Sequence, residues 1–166
     1  VTGVRLMQEL AKTAASKGWK VMLVGGWGSA QLTAQKLKIE NGKLKIRVIE
    51  GPTNLKKSSA VELEGLVREI NAFAPALLFV SFGRFKQEIW LANNLPKLKV
   101  GVAMGVGSAF DELTSSEGWQ NVPEWVERRG LKWLWRALHD PRHIRRAISA
   151  AIVFPWKVFW HYRSTN

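Results

Sequence analysis

Two short runs hold the residues best suited to chemistry: Gly83-Arg84-Phe85-Lys86-Gln87, and Gly105-Val106-Gly107-Ser108-Ala109-Phe110-Asp111. If Gly83 ends a strand and Gln87 lies in the first turn of the next helix, the turn's backbone N–H groups and positive dipole end favour an anion such as a pyrophosphate. Arg84 and Lys86 would add full charges. Gln87 can both donate and accept, so it can hold a sugar hydroxyl or a phosphate oxygen; a plain helix-surface glutamine is the alternative. In the second run, Gly105 and Gly107 allow a backbone-lined cradle, and Asp111 one turn on can accept from a ribose or a uracil. A glycine turn followed by a helix N-terminal Asp explains the same residues more plainly. A third run, Gly25-Gly26-Trp27-Gly28, would let a phosphate approach the backbone but lacks the spaced G-x-G-x-x-G order, and a tight turn serves equally well.

These groups can meet only if a sheet delivers them to one edge. Ala76 to Val80 is a continuous apolar run after Pro75, the pattern of a strand covered on both faces. Val21 to Val24 is a second such run. Val4, Met7, Ala11 and Ala14 recur at helical spacing ahead of it, and Gly18 ends that helix. Gly28-Ser29 can start a helix running through Leu37, and Lys43 to Ile49 alternates as a strand near an edge. Ser59 with Glu62 makes a capping box ahead of Leu63, Leu66, Val67, Ile70 and Phe73. A helix over about Phe85 to Asn94 leads to a strand over Val100 to Met104. Strands alternating with helices predict an α/β, Rossmann-like parallel sheet with flanking helices over residues 1–122. The regular pattern is expected to stop in a loop over Asp111 to Pro123, leaving 123–166 as a basic, Trp-rich helical appendage.

The 166 residues, 46% hydrophobic, suffice for a core, and the absence of cysteine excludes disulfides, thiolate metal sites and cysteine nucleophiles. The formal net charge of +12 calls for an anionic partner. The appendage concentrates it: Arg129, Lys132 and Arg136 share one helical face, and Arg142, Arg145 and Arg146 lie opposite Ile144, Ile148 and Ala151. Trp156, Phe159 and Trp160 follow Pro155. Cations interleaved with amphipathic aromatics suit an anionic membrane surface, so Arg129, Lys132, Arg136, Arg142, Arg145, Arg146, Trp156 and Trp160 are the expected membrane contacts. No apolar stretch approaches the ~20 residues of a spanning helix. Nucleic acid is disfavoured because no nucleic-acid motif accompanies the charge. Homo-oligomerisation stays open.

No metal site is expected: His139 and His143 are four apart, but Pro141 lies between them and no third ligand is evident. No catalytic carboxylate pair stands out either. Glu88 should point away from Gln87 on the helix, and Glu112 reads as solvated.

Four ordered segments, Val1-Thr2-Gly3-Val4-Arg5-Leu6-Met7, Ser81 to Trp90, Gly105 to Asp111, and Trp125 to Arg136, resemble the bacterial TagA/WecG/CpsF glycosyltransferase family across nearly the whole chain. The resemblance implies transfer of an N-acetylmannosamine-type or related sugar from a UDP donor to a polyprenyl-pyrophosphate-linked acceptor, in teichoic acid or surface polysaccharide synthesis. It further implies inversion, no metal or other cofactor, and a peripheral place at the inner, cytoplasmic face of the membrane. Gln87 matches a residue implicated at the family's active site, and the substrate-binding set becomes Thr2, Gly25, Gly26, Gly83, Arg84, Lys86, Gln87, Gly105, Gly107 and Asp111. The chain departs from the pattern at Phe85, where the family usually has a proline that preorganises the first helical turn. The family's proposed general base, an aspartate, belongs to a region preceding the segment that matches Val1, and this chain begins at that segment. A non-catalytic peripheral membrane module that binds nucleotide or anionic lipid is therefore the competing expectation.

Overall fold

The computed structural model describes residues 3–55, 57–114, 123–131, 134, 135, 156 and 160. The chain divides into two compact units, Val1–Thr114 and Ser115–Asn166. This boundary and the one expected at 122/123 differ only over residues 115–122, which lie outside the described residues.

In the first unit the order is α1 (Gly3–Lys17), β1 (Lys20–Gly25), α2 (Ser29–Glu40), β2 (Lys45–Ile49), α3 (Ala60–Phe73), β3 (Leu77–Ser81), α4 (Lys86–Asn94), a 3₁₀ turn (Leu95–Lys97), β4 (Val102–Gly105) and α5 (Ala109–Thr114). In α1, Met7, Ala11 and Ala14 are buried, and Gly18 at φ 69° lets Trp19 N–H close back on the Ala14 carbonyl at 2.9 Å. α3 starts at Ser59, whose hydroxyl accepts from the Glu62 N–H at 3.2 Å.

The four strands form one parallel sheet in the order β2-β1-β3-β4, the Rossmann-like arrangement expected. Alternate side chains of each strand enter opposite cores, as the pleat demands. Val21, Leu23, Leu77 and Phe79 pack with Met7, Ala11, Ala34, Leu37 and Phe110 of α1, α2 and α5. Met22, Val24, Leu78 and Val80 pack with Leu66, Val67, Ile70 and Trp90 of α3 and α4. Thus α2 leaves β1 on one face while α4 leaves β3 on the other. The chain also reverses its direction of travel across the sheet between β1 and β3, which makes their carboxyl ends a topological switch point, the usual place for a crevice in such sheets.

Several boundaries moved. β4 begins at Val102 rather than Val100, and Gly101 just before it packs against the Ala76 backbone, where a Cβ would sit 2.7 Å from the carbonyl oxygen. The region from Asp111 is not a loop at first, since Asp111 lies in α5. α4 begins at Lys86, with Phe85 as its N-cap at φ 63°.

In the second unit, α6 spans Glu124–Arg128. Trp156 and Trp160 are exposed and stacked, with ring centroids 6.3 Å apart and planes at 23°. Among the described residues, no helix is long and apolar enough to cross a membrane.

Candidate functional site: three loops at the carboxyl edge of the sheet

The motif loops converge because their strands are parallel neighbours. Beyond β1, the Gly26 N–H donates to the Ser81 carbonyl at 3.0 Å. Beyond β4, the Val106 N–H donates to the Val80 carbonyl at 2.9 Å, and Gly107 receives the Ser81 hydroxyl on its carbonyl at 2.6 Å. Ser81, buried at the end of β3, is therefore bonded to both neighbouring loops. The sequence reading did not single it out, although a polar residue closing an otherwise apolar buried strand was the available signal.

Gln87 makes the remaining tie. Its side chain is buried; Oε1 accepts the Gly107 N–H at 3.1 Å, and Nε2 donates to Glu88 Oε1 at 2.9 Å. Its own backbone N–H is also engaged, with the Gly83 carbonyl at 3.3 Å. The Gln87 amide thus braces α4 against the β4 loop. Gly105 must be small for this reason, since a Cβ there would lie 2.8 Å from Gln87 Nε2. The expectation that Glu88 points away from Gln87 is corrected. The two are adjacent at the start of the helix, and the exposed carboxylate folds back to meet the Gln87 amide.

The glycine pair at the end of β1 answers a packing need. Gly25, at φ 87°, leaves no room for a Cβ against the Ser81 carbonyl, and a Cβ on Gly26 would lie 2.6 Å from the Phe110 ring. Gly83 differs: at φ 84° nothing lies within 4 Å of its would-be Cβ, so that side of the loop is open. Arg84 and Lys86 are exposed beside it. Asp111 is exposed in the first turn of α5. Beneath the loops, Phe82 and Trp90 meet edge to face, centroids 5.4 Å apart and planes at 79°.

Of the residues expected at the site, Gln87, Gly105 and Gly107 are in direct contact. Arg84, Lys86 and Asp111 belong to the same edge as solvent-facing groups. Thr2 lies outside the described residues, as do Lys132, Arg136, Arg142, Arg145, Arg146, His139 and His143; Arg129, Trp156 and Trp160 are described and exposed. Among the described residues, no three His, Cys, Asp or Glu side chains converge as a metal site would require. A groove of about 430 Å³ between α3 and α4, lined in part by Leu63, Val67, Arg68 and Lys97, involves none of the motif loops.

Comparison with known families matches residues 1–166 to the Glycosyl transferase WecG/TagA/CpsF family. The chain belongs to that family. Among similar proteins, the N-acetylglucosaminyldiphosphoundecaprenol N-acetyl-beta-D-mannosaminyltransferases of Staphylococcus aureus strains MW2 and NCTC 8325 / PS 47 are each 28% identical over 159 residues. The match covers 95% of this chain and 59% of each of those relatives. Family membership accounts for the ordered motifs, whereas the role of each residue at the sheet edge rests on its own geometry.

Proposed function

We propose that this chain carries the donor-binding part of a glycosyltransferase that moves an N-acetylmannosamine-type sugar from a UDP donor to a polyprenyl-diphosphate-linked acceptor. The mannosaminyltransferase activity of the Staphylococcus aureus relatives supports this sugar and acceptor. The observation that carries the site assignment is the Gln87–Gly107 bond, which unites the β3–α4 and β4–α5 loops at the switch-point edge. In this reading the donor diphosphate lies over the open side of Gly83, against Arg84, Lys86 and the start of α4. Asp111 accepts from the nucleoside. Gln87 acts by holding both loops in register.

The reaction inverts the anomeric centre. The acceptor hydroxyl oxygen bonds to the sugar's anomeric carbon as the bond to the diphosphate oxygen breaks, and UDP departs with the electron pair. Arg84, Lys86 and the helix start stabilise that charge in the place a metal would otherwise take. A general base outside these loops takes the acceptor's proton. The acceptor is membrane-borne, and the Trp156–Trp160 pair with the appendage's cations supports peripheral attachment at the inner face.

The test is amide hydrogen exchange with and without UDP. Protection is expected in residues 83–87 and 105–111 together. Absence of protection in both loops at saturating UDP, with the fold intact, would overturn the donor site.

A further inference from the structure

The Gln87 side chain has one accepting end and one donating end of nearly equal size, so its orientation must be imposed from outside. The Gly107 N–H requires the oxygen end, at 3.1 Å. On the other side stands Glu88, whose Oε1 receives Nε2 at 2.9 Å. An ionised carboxylate only accepts, so it admits the nitrogen and rejects the oxygen. A flipped amide would set oxygen against carboxylate and NH₂ against the Gly107 N–H, losing both bonds.

We propose that Glu88 is a positioning residue. It fixes the Gln87 amide so that Oε1 holds Gly107, and through Gly107 it sets the β4–α5 turn that leads to Asp111, the proposed nucleoside contact. The last step rests on the donor-site reading above; the first does not. Glu88 suits the task because it is an exposed carboxylate, while the group it orients is buried. Gly105 closes the other side of the Gln87 amide, since a Cβ there would lie 2.8 Å from Nε2. The Ser81 hydroxyl holds the Gly107 carbonyl, and the Gln87 Oε1 accepts its N–H.

An acid in the first turn of α4 also favours the helix dipole, and the variants must separate that role from positioning. Glu88→Gln keeps the reach but adds an NH₂ that can meet the Gln87 oxygen, so it no longer selects one orientation of the amide. Glu88→Asp keeps the charge but is one methylene short. The readout is the exchange rate of the Gly107 amide by NMR in the UDP-free chain, followed by UDP affinity. Positioning predicts exchange about tenfold faster in Glu88→Ala, Glu88→Asp and Glu88→Gln alike, whereas a dipole role alone would spare Glu88→Asp, with global stability little altered. UDP affinity should fall in the same three variants. A Gly107 rate unchanged in Glu88→Ala would overturn the proposal, as would loss in Glu88→Gln with retention in Glu88→Asp. If Gly107 responds as expected but the wild-type chain binds no UDP, the donor-site reading fails and the Glu88–Gln87–Gly107 assignment stands.

Discussion

The Ser81 hydroxyl donates to the Gly107 carbonyl at 2.6 Å, so the residue that closes β3 also holds the turn that closes β4. Ser81→Ala leaves that carbonyl without the bond and leaves the backbone tie from Gly26 N–H to the Ser81 carbonyl intact. We expect a loss of about 1 kcal/mol in urea unfolding. Hydrogen exchange should quicken at Gly107 more than at Gly26. An equal change at both would mean that the hydroxyl matters only for general packing.

Gly25 and Gly83 share a left-handed backbone, at φ 87° and 84°, but not a neighbourhood. Gly83→Ala meets no atom and should cost only the backbone penalty, about 1–2 kcal/mol. Gly25→Ala adds a collision with the Ser81 carbonyl that two paired strands cannot relieve, so its cost should be clearly larger. Equal unfolding midpoints for the two variants would contradict the tight β1–β3 junction.

Phe85 is exposed and held at φ 63°, where a side chain is unfavourable. Phe85→Gly should therefore raise stability by about 1 kcal/mol, because glycine reaches that conformation freely. Phe85→Pro, which installs the residue the family usually has, should lower it, since proline cannot leave φ near −65° without the loop rearranging. A thermal melt of each variant decides. Proline raising the melting temperature would show that the loop prefers a different path.

The sheet was legible because its information is local. Uninterrupted apolar runs such as Val21 to Val24 and Leu77 to Val80 need cover on both faces, and only a parallel sheet between helices gives it. The site was legible only as a set of loops. Which polar groups bond to one another depends on strand order, and neighbouring residues in sequence do not disclose it. Gln87 was expected to face a ligand, yet its amide is taken up by Gly107 and Glu88, groups from two different elements. Gly26 was weighed as a phosphate contact, yet the Phe110 ring, which arrives from α5, already explains it. The start of α4 was blurred for a simpler reason: helical periodicity fits Phe85 as well as Lys86, and only the backbone angle separates them.

UDP binding should not depend on a divalent metal. The charges proposed to meet the diphosphate are Arg84 and Lys86, fixed groups that need no ion between them and the ligand. Affinity measured calorimetrically should be the same with EDTA as with added magnesium or manganese. A large gain on adding either metal would show that the cations do not suffice, and would direct attention to Asp111 as a ligand.

The appendage supplies the last prediction. Trp156 and Trp160 are exposed and stacked, four residues apart in sequence, and exposed indoles suit a membrane interface. Arg142, Arg145 and Arg146 precede them in sequence, and each cation near an anionic surface is worth about 1 kcal/mol, a contribution that salt screens. Apolar burial of the indoles is not screened. Sedimentation with anionic vesicles should then have two separable parts. Replacing the three arginines with glutamate should remove the salt-sensitive part and most of the binding. Trp156→Ser with Trp160→Ser should instead remove the part that persists at high salt. Neither set should alter UDP affinity, because the donor-loop residues all belong to the Val1–Thr114 unit. Unchanged sedimentation in both sets, or after truncation at Asp140, would rule out this appendage as the membrane contact.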